Sequence, residues 1–154
     1  MKYGLVGVDP GRTTGIAGLY WDDSGSGMTW FAEECHINEG MKDLLDRCFY
    51  HDPEWVIVES FQYRRQRKAD LTAVEIIGAF KLYAGLFLFP GLSFQPPGTK
   101  TLFDNDKLKA LEMYQPGHPH AMDALRHALH FICVGKAGEP IQRWVLETLR
   151  HAQE

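Results

Sequence analysis

The apolar positions of this chain fall into two patterns. Short unbroken runs stop at an acid, a proline or a glycine, and longer stretches repeat apolar residues every three or four positions. The first run, Tyr3-Gly4-Leu5-Val6-Gly7-Val8, ends on Asp9 followed by Pro10-Gly11. It is long enough for one strand and too short for a capped helix, so the carboxylate stands at a strand tip. Residues 14–21 read as a second strand, 22–27 as a turn cluster and 28–37 as a third strand, which makes an antiparallel meander. Trp55-Val56-Ile57-Val58 repeats the opening pattern and ends on Glu59. Residues 92–95 form a short last strand, closed by Pro96-Pro97.

Helical spacing fills the intervals. Asn38 is placed to cap a helix running to about residue 50, with Met41, Leu44, Leu45 and Cys48 on one face. A second helix is expected from about 70 to 86, offering Leu71, Val74, Ile77, Phe80 and Leu82 to the core. Asp104 or Asn105 can cap a third, which carries Lys107 and Lys109. His118-Pro119 opens a fourth, proline suiting a first turn where its missing donor costs nothing. Residues 139–152 read as a final packing helix bearing Ile141, Trp144, Val145 and Leu149. A strand that follows a helix most simply lies parallel to the first strand and beside it. Asp9 and Glu59 would then share one edge of an α/β sheet.

At 154 residues and 45% hydrophobic, the chain is sized for one domain, 1–154, and not for a two-domain enzyme. Its formal charge of −4 provides no global basic field, so any nucleic-acid contact must come from a local patch. One such patch follows Glu59. Phe61-Gln62-Tyr63-Arg64-Arg65-Gln66-Arg67-Lys68 sets four cations behind two aromatics, and these suit phosphates and an exposed base respectively. Cys35, Cys48 and Cys133 are odd in number and far apart, which fits neither a disulfide framework nor a metal knuckle. No run approaches the ~18 apolar residues of a membrane span, and no charged-then-apolar leader opens the chain. A soluble cytoplasmic protein with no membrane partner is expected.

The candidate chemistry gathers late in the chain. His120 and Asp123 are three apart on a helix and share a face, with His127 four further on. Alone, such a trio is an ordinary polar helix start, and acids are welcome there because of the helix dipole. His127 is read as a surface histidine, with a supporting or acid–base role as the alternative. Asp9 by itself leaves two chemistries open: a metal-binding nuclease carboxylate, or the phosphate-and-magnesium loop of a nucleotide-hydrolysing fold.

Taken together, Asp9-Pro10-Gly11, then Val58-Glu59, then His120-Ala121-Met122-Asp123-Ala124-Leu125 resembles the RuvC-type Holliday junction resolvases of the ribonuclease H-like superfamily. The resemblance covers nearly the whole chain and is nearest to a phage-encoded member. It implies an α/β ribonuclease H-like fold whose mixed five-stranded sheet has three antiparallel strands, then two parallel ones, flanked by helices. It also implies that Asp9, Glu59, His120 and Asp123 hold two divalent metals. Many members carry an acid at the position of His120, and an imidazole is more comfortable with manganese than with magnesium. The expected cofactors are two Mg²⁺, with Mn²⁺ equal or better. Lys100 and Lys107 resemble family lysines close to the scissile phosphate, where they would stabilise charge or anchor phosphate. The family places an aromatic wedge soon after the glutamate, and the spacing here leaves both Phe61 and Tyr63 open. DNA contacts are expected from these two, from Arg64, Arg65, Arg67 and Lys68, and from Lys100 and Lys107.

The implied activity is metal-dependent endonucleolytic cleavage of branched DNA, resolving four-way junctions by paired nicks. A two-fold symmetric substrate calls for a homodimer. Flaps, forks and replication or packaging intermediates are the alternative substrates. Asp9-x-Gly11-x-Thr13-Thr14-Gly15 also resembles the first phosphate loop of actin-like and hexokinase-like ATP-binding proteins, but the chain has room for only one of their two domains. A non-catalytic DNA-binding module is the third possibility, and the four filled ligand positions count against it.

Overall fold

The computed structural model describes residues 2–62 and 70–152. Strands β1 (Lys2–Asp9), β2 (Thr13–Asp22), β3 (Thr29–His36), β4 (Trp55–Glu59) and β5 (Leu92–Gln95) form one sheet in the order β3-β2-β1-β4-β5. The first three pair antiparallel, and β4 and β5 add on parallel to β1. This is the expected mixed sheet. Its helices are α1 (Met41–Phe49), α2 (Thr72–Leu86), α3 (Asn105–Ala110), α4 (Pro119–Cys133) and α5 (Glu139–His151).

Alternation along the central strands explains how both sheet faces are buried. Leu5 and Ile57 pack with Leu125 and Leu129 of α4, while Val6, Val8, Val56 and Val58 pack with Ile76 and Phe80 of α2. Strands covered on both faces read as unbroken apolar runs, and each such side chain contributes about 1.5–3 kcal/mol by leaving water. Asp9 continues the Leu5–Gly7 side of β1, and Glu59 continues the Trp55–Ile57 side of β4. Both acids therefore face α4. The parallel register ends at Val8 opposite Val58, so the two carboxylates follow on adjacent strands.

Two expectations are corrected. Asn38 caps no helix; residues Ile37–Glu39 form a short 3-10 turn capped by the His36 side chain, and α1 begins after Gly40, whose φ is 95°. In α2, Ile76 and Phe80 are the buried residues, whereas Leu71, Val74 and Leu82 are exposed. Apolar residues surround α2 almost completely, so spacing alone could not pick the inward face. Asp104 caps α3 by accepting from Lys107 N, and α5 buries Ile141 and Val145 in the cluster shared with α4. The three cysteines are unbridged. Among the described residues, no helix is long and apolar enough to cross a membrane.

Candidate functional site

The site depends on how closely α4 lies on the sheet. A Cβ on Gly7 would stand 2.1 Å from Ala124 O, and one on Gly15 would stand 1.9 Å from His120 O. Only glycine allows a backbone this near. Glu34 of β3, in register with Gly15, completes the junction from the same face. Its Oε1 accepts from His120 N at 2.9 Å and from Ala121 N at 3.4 Å, so a strand side chain satisfies the open N–H groups at the start of α4.

This seating brings the four proposed ligands together. His120 Nδ1 lies 3.1 Å from Asp9 Oδ2. Lys100, in the 3-10 segment Pro97–Leu102, places Nζ 3.1 Å from Glu59 Oε2 and 2.7 Å from Asp123 Oδ2. Arg126 binds the other oxygen of Asp123 and also donates to Phe103 O. Asp9 and Glu59 are largely enclosed, with side chains 11% and 15% exposed, while His120 is half open at 48%. The cluster thus has a buried floor and one face toward solvent.

Its electrostatics are those of crowded acids. Burial, together with the negative charge of Glu59, pushes the Asp9 carboxyl up to about 6. Burial also acts to raise Glu59, but hydrogen bonds from His127 and Lys100 outweigh it and hold that carboxyl below its ordinary value. Burial acts to lower Lys100, yet its bond to Asp123 and the nearby charge of Asp9 prevail and raise it. One ammonium among three carboxylates leaves Asp9 the member least comfortable as an anion.

The structure also separates residues that the sequence grouped together. Lys107 directs its Nζ to a backbone carbonyl, Leu102 O, at 2.6 Å. Phe61 is exposed and lines a cleft of about 160 Å³ beside Glu59, with Pro10 and Pro97. Tyr63, Arg64, Arg65, Arg67 and Lys68 lie outside the described residues. In the turn after Asp9, Thr14 is buried and its hydroxyl donates to Gly11 O, while Arg12 pairs with Asp70. That hydroxyl is spent inside its own turn, which does not suit a phosphate loop. A separate group of donors, Cys35, Glu39 and Asp43, lies within one ion's reach. Arg47 already bonds both acids, so its guanidinium competes there with any ion.

His127 corrects its surface reading. It is fully buried, with Nε2 2.7 Å from Glu59 Oε2 and Nδ1 3.0 Å from both Thr99 Oγ1 and Gln95 Oε1. The signal was present: four residues beyond Asp123 puts it on the sheet-facing side, among Ala124 and Ala128. Glu34 and Arg126 were missed for a different reason. Nothing in their local sequence marks an acid as a helix cap from another element, or an arginine as a clamp on Asp123.

No family model and no curated protein matches this chain. Solved structures do. Thermus thermophilus RuvC in complex with Holliday junction substrate superposes with a TM-score of 0.66 at 17% identity, over 88% of this chain and 98% of that one. The fowlpox virus Holliday junction resolvase gives 0.56 at 12% identity, over 84% and 97%. The yeast mitochondrial Holliday junction resolvase Ydc2 gives 0.50 at 15% identity, over 96% and 80%. With its mixed five-stranded sheet and helices on both faces, this chain has the ribonuclease H-like fold of RuvC and these Holliday junction resolvases.

Proposed function

We propose that this chain is a metal-dependent endonuclease that resolves four-way DNA junctions. The observation that carries the reading is the convergence of Asp9, Glu59, His120 and Asp123 at one end of the sheet, with the Lys100 ammonium between Glu59 and Asp123. The donors fit divalent ions: three carboxylates suit magnesium, and the imidazole favours manganese. Burial and the neighbouring charge of Glu59 raise the Asp9 carboxyl, and a divalent ion held there would favour its ionised form. When bound, a pair of such ions would activate a water and offset charge on both the attacking and leaving oxygens.

The chain's own groups have distinct tasks. Asp9, on a strand tip beside the other ligands, would be the carboxylate shared by the ions. Glu59, His120 and Asp123 would supply the remaining ligands. Lys100 binds the scissile phosphate once it leaves Glu59 and Asp123, while Lys107 makes a backbone contact further out. Phe61 stacks on an unpaired base from the cleft beside Glu59, with Tyr63 the alternative. Arg64, Arg65, Arg67 and Lys68 take the junction's phosphates. The fold shared with a protein solved on a Holliday junction supports this substrate class.

Two copies would pair to cut both strands. The exposed stripe of Leu71, Val74, Leu82 and Leu86 along α2 is the surface we assign to that pairing.

A panel of four-way junction, flap, fork and linear duplex tests the function, with Mg²⁺ or Mn²⁺ and with the Asp9→Asn variant. Paired nicks in the junction that vanish in Asp9→Asn are expected. Equal cleavage of every substrate would overturn the junction assignment, and undiminished cleavage by Asp9→Asn would overturn the metal site.

A further inference from the structure

His127 belongs to none of the ligand positions, yet it is more deeply buried than any of them. Its ring spans three elements. Nε2 reaches Glu59 on β4, and Nδ1 reaches Gln95, the residue paired with Glu59 on β5, as well as Thr99 beside Lys100. A carboxylate has no proton to give, so the ring must donate from Nε2 to Glu59. Nδ1 then has the Thr99 hydroxyl within reach. His127 and Lys100 both address Oε2, so they set the rotation of the Glu59 carboxylate without using Oε1.

We propose that His127 is a positioning residue: the strut that orients Glu59 for a divalent cation and fixes its distance from Asp123. The inference rests on the nuclease reading of the site. It follows from where the ring is mounted. His127 is one helical turn beyond Asp123 on α4, so a single imidazole locks the helix that carries two ligands to the strand that carries a third. Ion ligands must be held within about 0.5 Å of their working geometry. The Lys100 bond cannot do this alone, because that ammonium would have to give way to a bound cation. The buried histidine stays.

Two substitutions separate the ends of the ring. His127→Gln carries its amide nitrogen near the position of Nε2 and retains a donor for Glu59. His127→Asn reaches only as far as Nδ1 and leaves Glu59 without that donor. Mn²⁺ binding by calorimetry, on the full chain without DNA, should weaken about 10- to 100-fold in His127→Asn, the usual effect of removing a group that orients a metal ligand. His127→Gln should stay close to wild type. Melting in chelator checks that both variants fold. Equal weakening in the two variants, or wild-type affinity in a folded His127→Asn, would overturn the strut.

Nitrogen NMR of the wild-type ring reads the same bond without any substitution. A proton on Nε2, with a signal that moves when Mg²⁺ is added, is expected; an unprotonated Nε2 would overturn the inference. The nuclease reading fails separately, if Asp9→Asn binds Mn²⁺ as well as wild type does.

Discussion

The carbonyl of His120 rests directly on Gly15, where a Cβ would stand only 1.9 Å from its oxygen. The helix bearing two proposed ligands is therefore seated backbone to backbone on the strand next to the one that carries Asp9. Gly15→Ala must push the start of α4 outward or distort β2. A loss of about 1–3 kcal/mol or more is expected from such overpacking, measured by chemical denaturation, with cleavage falling further than the stability loss explains. Gly11→Ala is the contrast, since its nearest neighbour would be Thr13 O at 3.4 Å. A Gly15→Ala protein as stable and active as wild type would mean that α4 is not so tightly seated.

Asp9 gives a pH dependence whose sign can be worked out. Its folded value of about 6 lies above the ordinary 3.8, so the metal-free folded state binds this proton more tightly than the unfolded chain does. Stability should fall as pH rises through that window, and the penalty is complete above it. Asp9→Asn removes the penalty. At pH 7 in chelator it should be more stable than wild type by about 1–3 kcal/mol, since each tenfold change in proton affinity is worth roughly 1.4 kcal/mol, and the advantage should vanish near pH 4. Thermal melts across pH check this; a less stable Asp9→Asn would contradict the burial and charge argument.

Lys100 stands between Glu59 and Asp123 as an internal counter-ion. Lys100→Met should bind Mn²⁺ more tightly, because no ammonium has to move aside, and should nevertheless cleave more slowly. Calorimetry and single-turnover cleavage separate the two effects. Weaker Mn²⁺ binding would show that Lys100 does not compete for the site.

Glu34 caps α4 from a neighbouring strand. Glu34→Ala should cost about 1 kcal/mol, as for other lost caps, and should loosen His120. Glu33→Ala, whose partner Arg47 is 3.5 Å away, should cost less, as surface pairs do. Denaturation of the two variants side by side decides it.

Leu82→Glu combined with Leu86→Glu places charge on the exposed stripe of α2. If this face joins two copies, the variant should sediment as a monomer and nick junctions singly. A variant that keeps its oligomeric state would move the interface elsewhere.

Much of the site was legible because its clues are local. Asp9 and Glu59 each end an apolar run, and a run bounded by a turn announces a buried strand with a polar tip. His120 and Asp123 are three apart, a spacing that places side chains together on any helix. α2 shows where local patterning stops: with apolar residues nearly all round, Leu71, Val74 and Leu82 gave no sign that they face outward.

The sequence by itself determined which residues end strands, which share a helix face and which chemistry those residue types can support, because each is set by periods of two or 3.6 residues. Only the tertiary structure decided that Gly15 admits α4, that Glu34 caps it, that His127 is buried against Glu59, and that Lys100 joins the cluster while Lys107 does not. Those contacts join separate elements, as His127 and Glu59 do across 68 positions. They depend on strand register and helix rotation, where a one-residue slip turns a side chain to the opposite face. No local pattern carries that information.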